Sequence, residues 1–278
     1  MKQFKALLKK DWQVNWKQLL LPAWFMAVVY IFSIMIYVYV FFKYGSDLKL
    51  IFSANEMHLD MLIWGIHFGS SLVLGLLAIV TSMTLTDILN QDHIKKCEIF
   101  HFSIPMSFKK ILSEKLFFII IGPFMVYLIL AFVNSILMNL ASAILGYSDF
   151  AIGLNGVINS IPYVLLALLV FPPLNALFAG IQRKNAFGTM LITILTLDII
   201  LIILRTFTSF PSFSFYNYFT RVLWNPFYTT AEMMSGNYAG LGLFGWSHVF
   251  SWDSLLRIGI SMVMIAVTYF LLKRKELS

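Results

Sequence analysis

Few residue combinations in this chain could do chemistry on their own. Residues 240–245, GLGLFG, spell the dinucleotide pattern G-x-G-x-x-G. That pattern works only where a strand delivers the pyrophosphate to a helix N-terminus, and no strand-then-helix unit surrounds it here. No G-x-x-x-x-G-K-[ST] phosphate loop occurs, so ATP held in that manner must sit on another chain. His58, His67, His93, His101 and His248 are scattered, without H-E-x-x-H spacing or a cysteine pair, and read as interfacial or hydrogen-bonded histidines rather than metal ligands. There is no G-x-S-x-G elbow and no pair of acid clusters of the kind a lipid-phosphate enzyme needs. The chain is therefore expected not to be an enzyme, with no catalytic, cofactor-binding or metal-ligating residue assigned.

Two features remain. Asp198 is the single acid in an apolar run spanning 187–204. A carboxylate there costs about 2.5 to 3.5 kcal/mol on insertion scales and must face protein or water. It either lines a translocation path or is hydrogen-bonded to a neighbouring helix, for example through Asn134, Asn139 or Asn175; packing is the preferred reading. The second feature is CEIFHFSIPMSFKKILSEK, residues 97–115. With its approach from residue 87, it sets Asp87, Asp92, Glu98 and Glu114 against Lys95, Lys96, Lys109, Lys110 and Lys115. Mixed charge between two apolar runs suits a surface that meets another protein. Residues 91–102 fit a short helix with Ile94, Ile99 and Phe102 as apolar contacts. Pro105 ends it, and Ser107 is placed to cap a helix leading into the next run.

The elements that position these features are membrane spans. Of 278 residues, 60% are hydrophobic and only 12% charged, and the mean hydropathy is +0.83; soluble domains carry roughly 25% charged residues. The single cysteine, Cys97, allows no internal disulfide. A helix needs about 20 apolar residues to cross a bilayer. Six runs qualify, at 22–42, 61–86, 116–145, 157–180, 187–204 and 255–272. Trp64 is expected to anchor one span end at the interface. Residues 122–123, Gly-Pro, mark a kink site in the third span, and Pro162 with Pro172 and Pro173 should break or bend the fourth.

Basic residues near span ends stay on the cytoplasmic side. With both termini inside, only Lys43, Lys49, Arg205, Arg221 and Arg257 of the 20 Lys and Arg residues fall outside. The net charge of +7 therefore reads as topology and lipid-headgroup contact, not nucleic-acid binding. The expected location is the cell inner membrane. Residues 1–20 repeat Phe4, Leu8, Trp12, Trp16 and Leu20 every fourth position, beside Leu7 and Leu19 and amid lysines, as an interfacial amphipathic helix does. Outside, the loops at 43–60 and 146–156 are modest. The 205–254 loop is long, and WNPFYTTAEMMSG within it suggests a short helix opened by Asn225-Pro226 and closed by Gly236. The expectation is one all-α membrane domain over 1–278, with a cytoplasmic region at 87–115.

The order of these features resembles the permease subunits of type-2 ABC exporters over nearly the whole chain. The likeness rests on the amphipathic helix before the first span, six spans, a loop carrying Glu98, then small-x-Pro-x-Ser, then a basic helix, and the outer NPFYTTAEMMSG. The sequence departs from the family pattern at HIKKCE, which replaces the usual acidic and glycine residues ahead of the motif. The resemblance implies that residues 91–105 form a coupling helix docked on a cytoplasmic P-loop ATPase, through Lys95, Lys96, Glu98, Ile99, Phe102 and Pro105. It implies short re-entrant helices before the last span, with Asn225, Pro226 and Phe227 at the outer gate. It also implies pairing with a second permease, the same or similar, and ATP on the partner subunit, with no cofactor here. Such pairing would give the intramembrane asparagines and small residues a contact between copies to serve. Spans with aromatic and aliphatic walls and almost no fixed charge suit an apolar or amphiphilic substrate. The alternative is a membrane scaffold or sensor whose cytoplasmic loop recruits a partner without transport; a secondary transporter rests on Asp198 alone.

Overall fold

A computed structural model describes residues 2–44, 56–90, 107–144, 150–182, 186–207 and 250–277, together with 214, 215, 217, 218, 221 and 246. Among the described residues seven long helices follow one another: α1 (Lys2–Leu19), α2 (Leu21–Tyr44), α3 (Glu56–Leu85), α4 (Phe108–Ile144), α5 (Phe150–Ile181), α6 (Ala186–Phe207) and α7 (Trp252–Leu277). Among the described residues, six stretches are long and apolar enough to cross a membrane, the first running from Phe4 to Met35 across α1 and α2. The chain is an all-α, multi-pass membrane protein by that measure.

The helices outrun the apolar runs that predict them. α4 begins at Phe108 and α5 at Phe150, so the expected second-to-third connection ends at Ser107 and the 146–156 loop shrinks. The backbone carbonyl of Ser107 accepts from the amides of Lys110 (2.9 Å) and Ile111 (3.4 Å), which puts it at the N-cap position of α4. α5 continues as one helix through Pro162, Pro172 and Pro173, so of the break or bend expected there the break does not occur.

Proline inside a span removes a donor, and in hydrocarbon the orphaned carbonyl has no water to turn to. Pro123 of α4 cannot pair with the Ile119 carbonyl four residues back. Ser82 of α3 donates its hydroxyl to that carbonyl at 2.6 Å, with Ser82 and Ile119 both fully buried. The neighbouring helix thus restores the bond that proline deleted.

α5 is the hub: 72% of its apolar window is buried, against 11% for α6. It packs most extensively on α3, then on α7, α4 and α6. Lipid is as apolar as leucine, so close backbone approach, not escape from water, selects these partners. A Cβ at Gly75 would lie 2.2 Å from Val164 Cγ2, and one at Gly156 would lie 3.1 Å from both the Trp64 carbonyl and the Phe68 amide. Trp64, expected at the interface, is instead buried in this contact, stacked on Phe68 at 4.7 Å and donating Nε1 to Asn155 at 3.3 Å. The reason is tertiary: Gly156 opens a slot for the α3 backbone, and Asn155 beside it supplies the acceptor that a buried indole needs.

α1 presents two stripes. Leu7, Asp11, Asn15 and Leu19 are buried, chiefly against α4 and α3, while Trp12 and Trp16 face outward. α2, α6 and α7 leave rows of large apolar side chains outward, Trp24, Phe32, Ile192, Ile202, Val263 and Phe270 among them. A surface of this kind is stable only against lipid or another apolar face.

Two outcomes test this packing. Gly156→Leu is expected to destabilise the detergent-purified protein by about 2 kcal/mol, read as a lower thermal midpoint. Gly188→Leu should leave it unchanged, since a Cβ there meets nothing within 4 Å. Ser82→Ala is expected to cost about 1 kcal/mol. Pro123→Ala in the same chain should recover most of it by returning an amide donor to Ile119.

Candidate functional site

The residues assigned to the partner interface, Lys95, Lys96, Glu98, Ile99, Phe102 and Pro105, lie outside the described residues, as do Asn225, Pro226 and Phe227 of the outer gate. Described residues flank the first of these segments at Asn90 and Ser107, and Asp198 is described.

The first region is at the basic end of the bundle, where α3 finishes and α4 starts. A helix leaves its last carbonyls unpaired, and here the ends of α3 and α5 cap each other. Asn175 of α5 donates Nδ2 to the Met83 carbonyl (2.8 Å) and to Thr86 Oγ1 (2.6 Å). Thr86 Oγ1 in turn donates to the Met83 carbonyl at 2.6 Å. In the other direction, Asn90 donates Nδ2 to the carbonyls of Ala179 (2.9 Å) and Gln182 (3.1 Å) at the end of α5. Lys115 of α4 donates Nζ to the Ile88 carbonyl at 3.0 Å. Thr189 of α6 donates its hydroxyl to the Gln182 side chain. Asn90 and Ser107 are the last and first described residues around the candidate coupling segment. Asn90, Thr86, Asn175 and Lys115 are all nearly inaccessible, so the leading end of that segment is seated in a buried hydrogen-bonded block of α3, α4 and α5, while Ser107 at its far end is exposed, two turns of α4 before Lys115.

The second region involves Asp198. Its Oδ1 accepts from the Phe215 amide at 2.7 Å and its Oδ2 from the Ser214 hydroxyl at 3.1 Å. Ser214 Oγ also accepts from the Asn217 amide (3.1 Å), and the Ser214 carbonyl accepts from the Tyr218 amide (3.0 Å). Asp198 therefore anchors the first turn of a helix through its N-terminal donors. It lies nine residues before the end of α6, about 13 Å along the axis. At the far side of the same turn, the Arg257 guanidinium lies over the Tyr218 ring at 4.8 Å. Arg257 is buried in α7 and paired with Asp253 at 2.5 Å. The turn is gripped by an acid of α6 and a cation of α7.

The asparagines weighed as partners of Asp198 are engaged elsewhere. Asn134 accepts from the Tyr30 hydroxyl and donates to Ser70 Oγ at 2.8 Å, linking α2, α4 and α3. Asn139 donates to the Ser135 carbonyl within α4. Asn159 donates to Asn155 Oδ1 (2.6 Å), and Tyr127 bonds Ser160 (2.7 Å). These asparagines, which on sequence grounds suit a contact between two copies, thus bond inside one chain.

The sequence marks Arg257 only as one of five outward basic residues. An arginine four residues after Asp253, at the head of an apolar run, is the signal that could have revealed an inward pair. His67, read from the sequence as interfacial or hydrogen-bonded, is buried, and its Nδ1 meets no partner among the described residues; nothing in its spacing announces this. Among the described residues, no three His, Cys, Asp or Glu side chains converge as metal ligands would. No protein family, characterised protein or solved structure matches the chain.

Asp198→Leu is expected to release the 214–218 turn, because two donors lose their acceptor at once. A reporter cysteine introduced by Asn217→Cys should then react with a maleimide several-fold faster than it does beside an intact Asp198. Asp198→Asn keeps an acceptor for the Phe215 amide and should change the rate little.

Proposed function

We propose that this chain is the transmembrane subunit of an ATP-driven exporter of the type-2 ABC class. In this reading both termini are cytoplasmic, and residues 91–105 dock on a separate P-loop ATPase. The proposal draws first on the order of sequence features described above. The observation that carries it is the buried block around Asn90, Asn175 and Lys115, which ties the leading end of the candidate docking segment, and through Lys115 the helix that follows the segment, to α3, α4 and α5. A force applied to a segment anchored this way moves three spans together. A loop closed on itself would absorb it. Coupling ATP hydrolysis to a membrane pathway requires such transmission, because the motor and the path are on different polypeptides.

In the same reading, α1 lies along the inner leaflet with Trp12 and Trp16 toward the headgroups. The 214–218 turn, bonded to Asp198 well below the end of α6, is the first of the short re-entrant helices that close the exit. Asp198 then serves the outer closure as an anchor and carries no transported proton. Six spans form half a pathway, and a second permease supplies the other half. The substrate is apolar or amphiphilic, matching walls with almost no fixed charge.

The test is copurification and reconstitution. The chain is expected to copurify with a P-loop ATPase. Glu98→Lys and Phe102→Ala should each abolish that association, whereas Asp198→Asn should leave substrate-stimulated hydrolysis largely intact. Association without any substrate-dependent change in hydrolysis would favour the scaffold alternative. Labelling of residues 91–105 from outside intact cells would overturn both.

A further inference from the structure

We propose that the groove between α4 and α7 is a binding site for an anionic phospholipid of the leaflet at the basic end. The groove encloses roughly 410 Å³ and is lined by Leu112, Leu116, Met262, Ile265, Ala266 and Phe270, with Lys109, Ser113 and Tyr269 at one end. α4 and α7 touch only sparsely, so the groove is open along its length to the surroundings of the bundle. Met262 and Phe270 are each 67% exposed on its wall. Its lining runs from Met262 to Phe270 on α7, about 12 Å of axis, which is most of one leaflet's half of a ~30 Å hydrocarbon core. An apolar slot of that length, running inward from a cation, has the shape of an acyl chain hung from a phosphate.

Charge selects the headgroup. The Lys109 ammonium lies 5.8 Å from the centre of the Tyr269 ring, at the mouth of the groove. Lys273 follows Tyr269 by one turn on the same face, and Lys110, Lys273 and Arg274 are exposed next to the Lys109 and Tyr269 ends of their helices. Among the described residues, no acid lines the groove. Glu114, the nearest acid on α4, is buried. Ser113 adds a hydroxyl at the level of the lysine. Clustered cations above an apolar cleft between spans are the arrangement that retains an anionic headgroup. A zwitterionic lipid would set its own cation against them.

The site depends on the membrane-spanning reading and not on an ATPase partner, so the two proposals fail separately. The purified full-length chain is reconstituted in phosphatidylcholine vesicles containing a minority of phosphatidylglycerol. Either lipid carries a photoreactive group in its acyl chain. Phosphatidylglycerol is expected to label Leu112, Leu116, Met262 and Ala266 in preference to phosphatidylcholine. Lys109→Gln should reduce that preference about fivefold, Lys109→Arg should preserve it, and Lys5→Gln, which removes a cation elsewhere at the same end, should not change it. Ala266→Trp, which fills an exposed slot without entering the core, should abolish groove labelling. Equal labelling by both lipids, or labelling no denser here than at Ile199 and Ile202 of α6, would overturn the proposal. So would crosslinking between two copies through Ala266→Cys, which would make the groove a contact between copies.

Discussion

Inside a bilayer a polar group has little water to turn to, and much of the architecture follows from how the chain itself supplies partners. Ser82 supplies the Ile119 carbonyl with the donor that Pro123 lacks. Asn175 and Asn90 supply the ends of α3 and α5. Thr81, Thr196, Thr206, Ser261 and Thr268 return their hydroxyls to carbonyls of their own helices four residues back, a local solution available at any place in a span. The cross-helix bonds are the informative ones, because each fixes which helices are neighbours and at what depth.

The same constraint explains why α5 sits in the middle. It carries Asn155, Asn159, Ser160 and Asn175 along one helix with Gly153 and Gly156. It therefore offers both the polar partners and the close approach that helix association in lipid requires. α6 has little of either and remains at the rim with one acid, Asp198. That acid is tolerated because a returning segment brings an amide and a hydroxyl to it. A buried polar group thus acts as a topological instruction: it is stable only if a particular piece of chain comes back to meet it.

The two ends of the bundle are built differently. At the basic end, Thr86, Asn90, Lys115 and Asn175 interlock so that the ends of α3, α4 and α5 form one body. At the other end, a single turn is held between Asp198 and the Arg257–Asp253 pair. On the proposed reading this asymmetry has a use, since a motor needs a stiff handle and an exit needs a piece that can let go. The groove between α4 and α7 lies at the stiff end, where an anionic lipid would sit beside the handle.

The lysines set only an expected orientation, whereas hydropathy determined six apolar spans, because apolar length acts locally and each span satisfies its own backbone. Their reach was legible only to within two or three turns: α4 and α5 continue past their apolar runs, since helix ends are set by caps and neighbours as well as by hydropathy. Ser107 was legible as a cap because capping is local chemistry. Trp64 was not, since only the Gly156 slot and the Asn155 acceptor turn it inward, and both belong to a helix some ninety residues away. The partners of Asp198 and the inward face of Arg257 were hidden for the same reason. A hydrogen bond across helices depends on which helices pack and in what rotation, and no spacing within one helix encodes that.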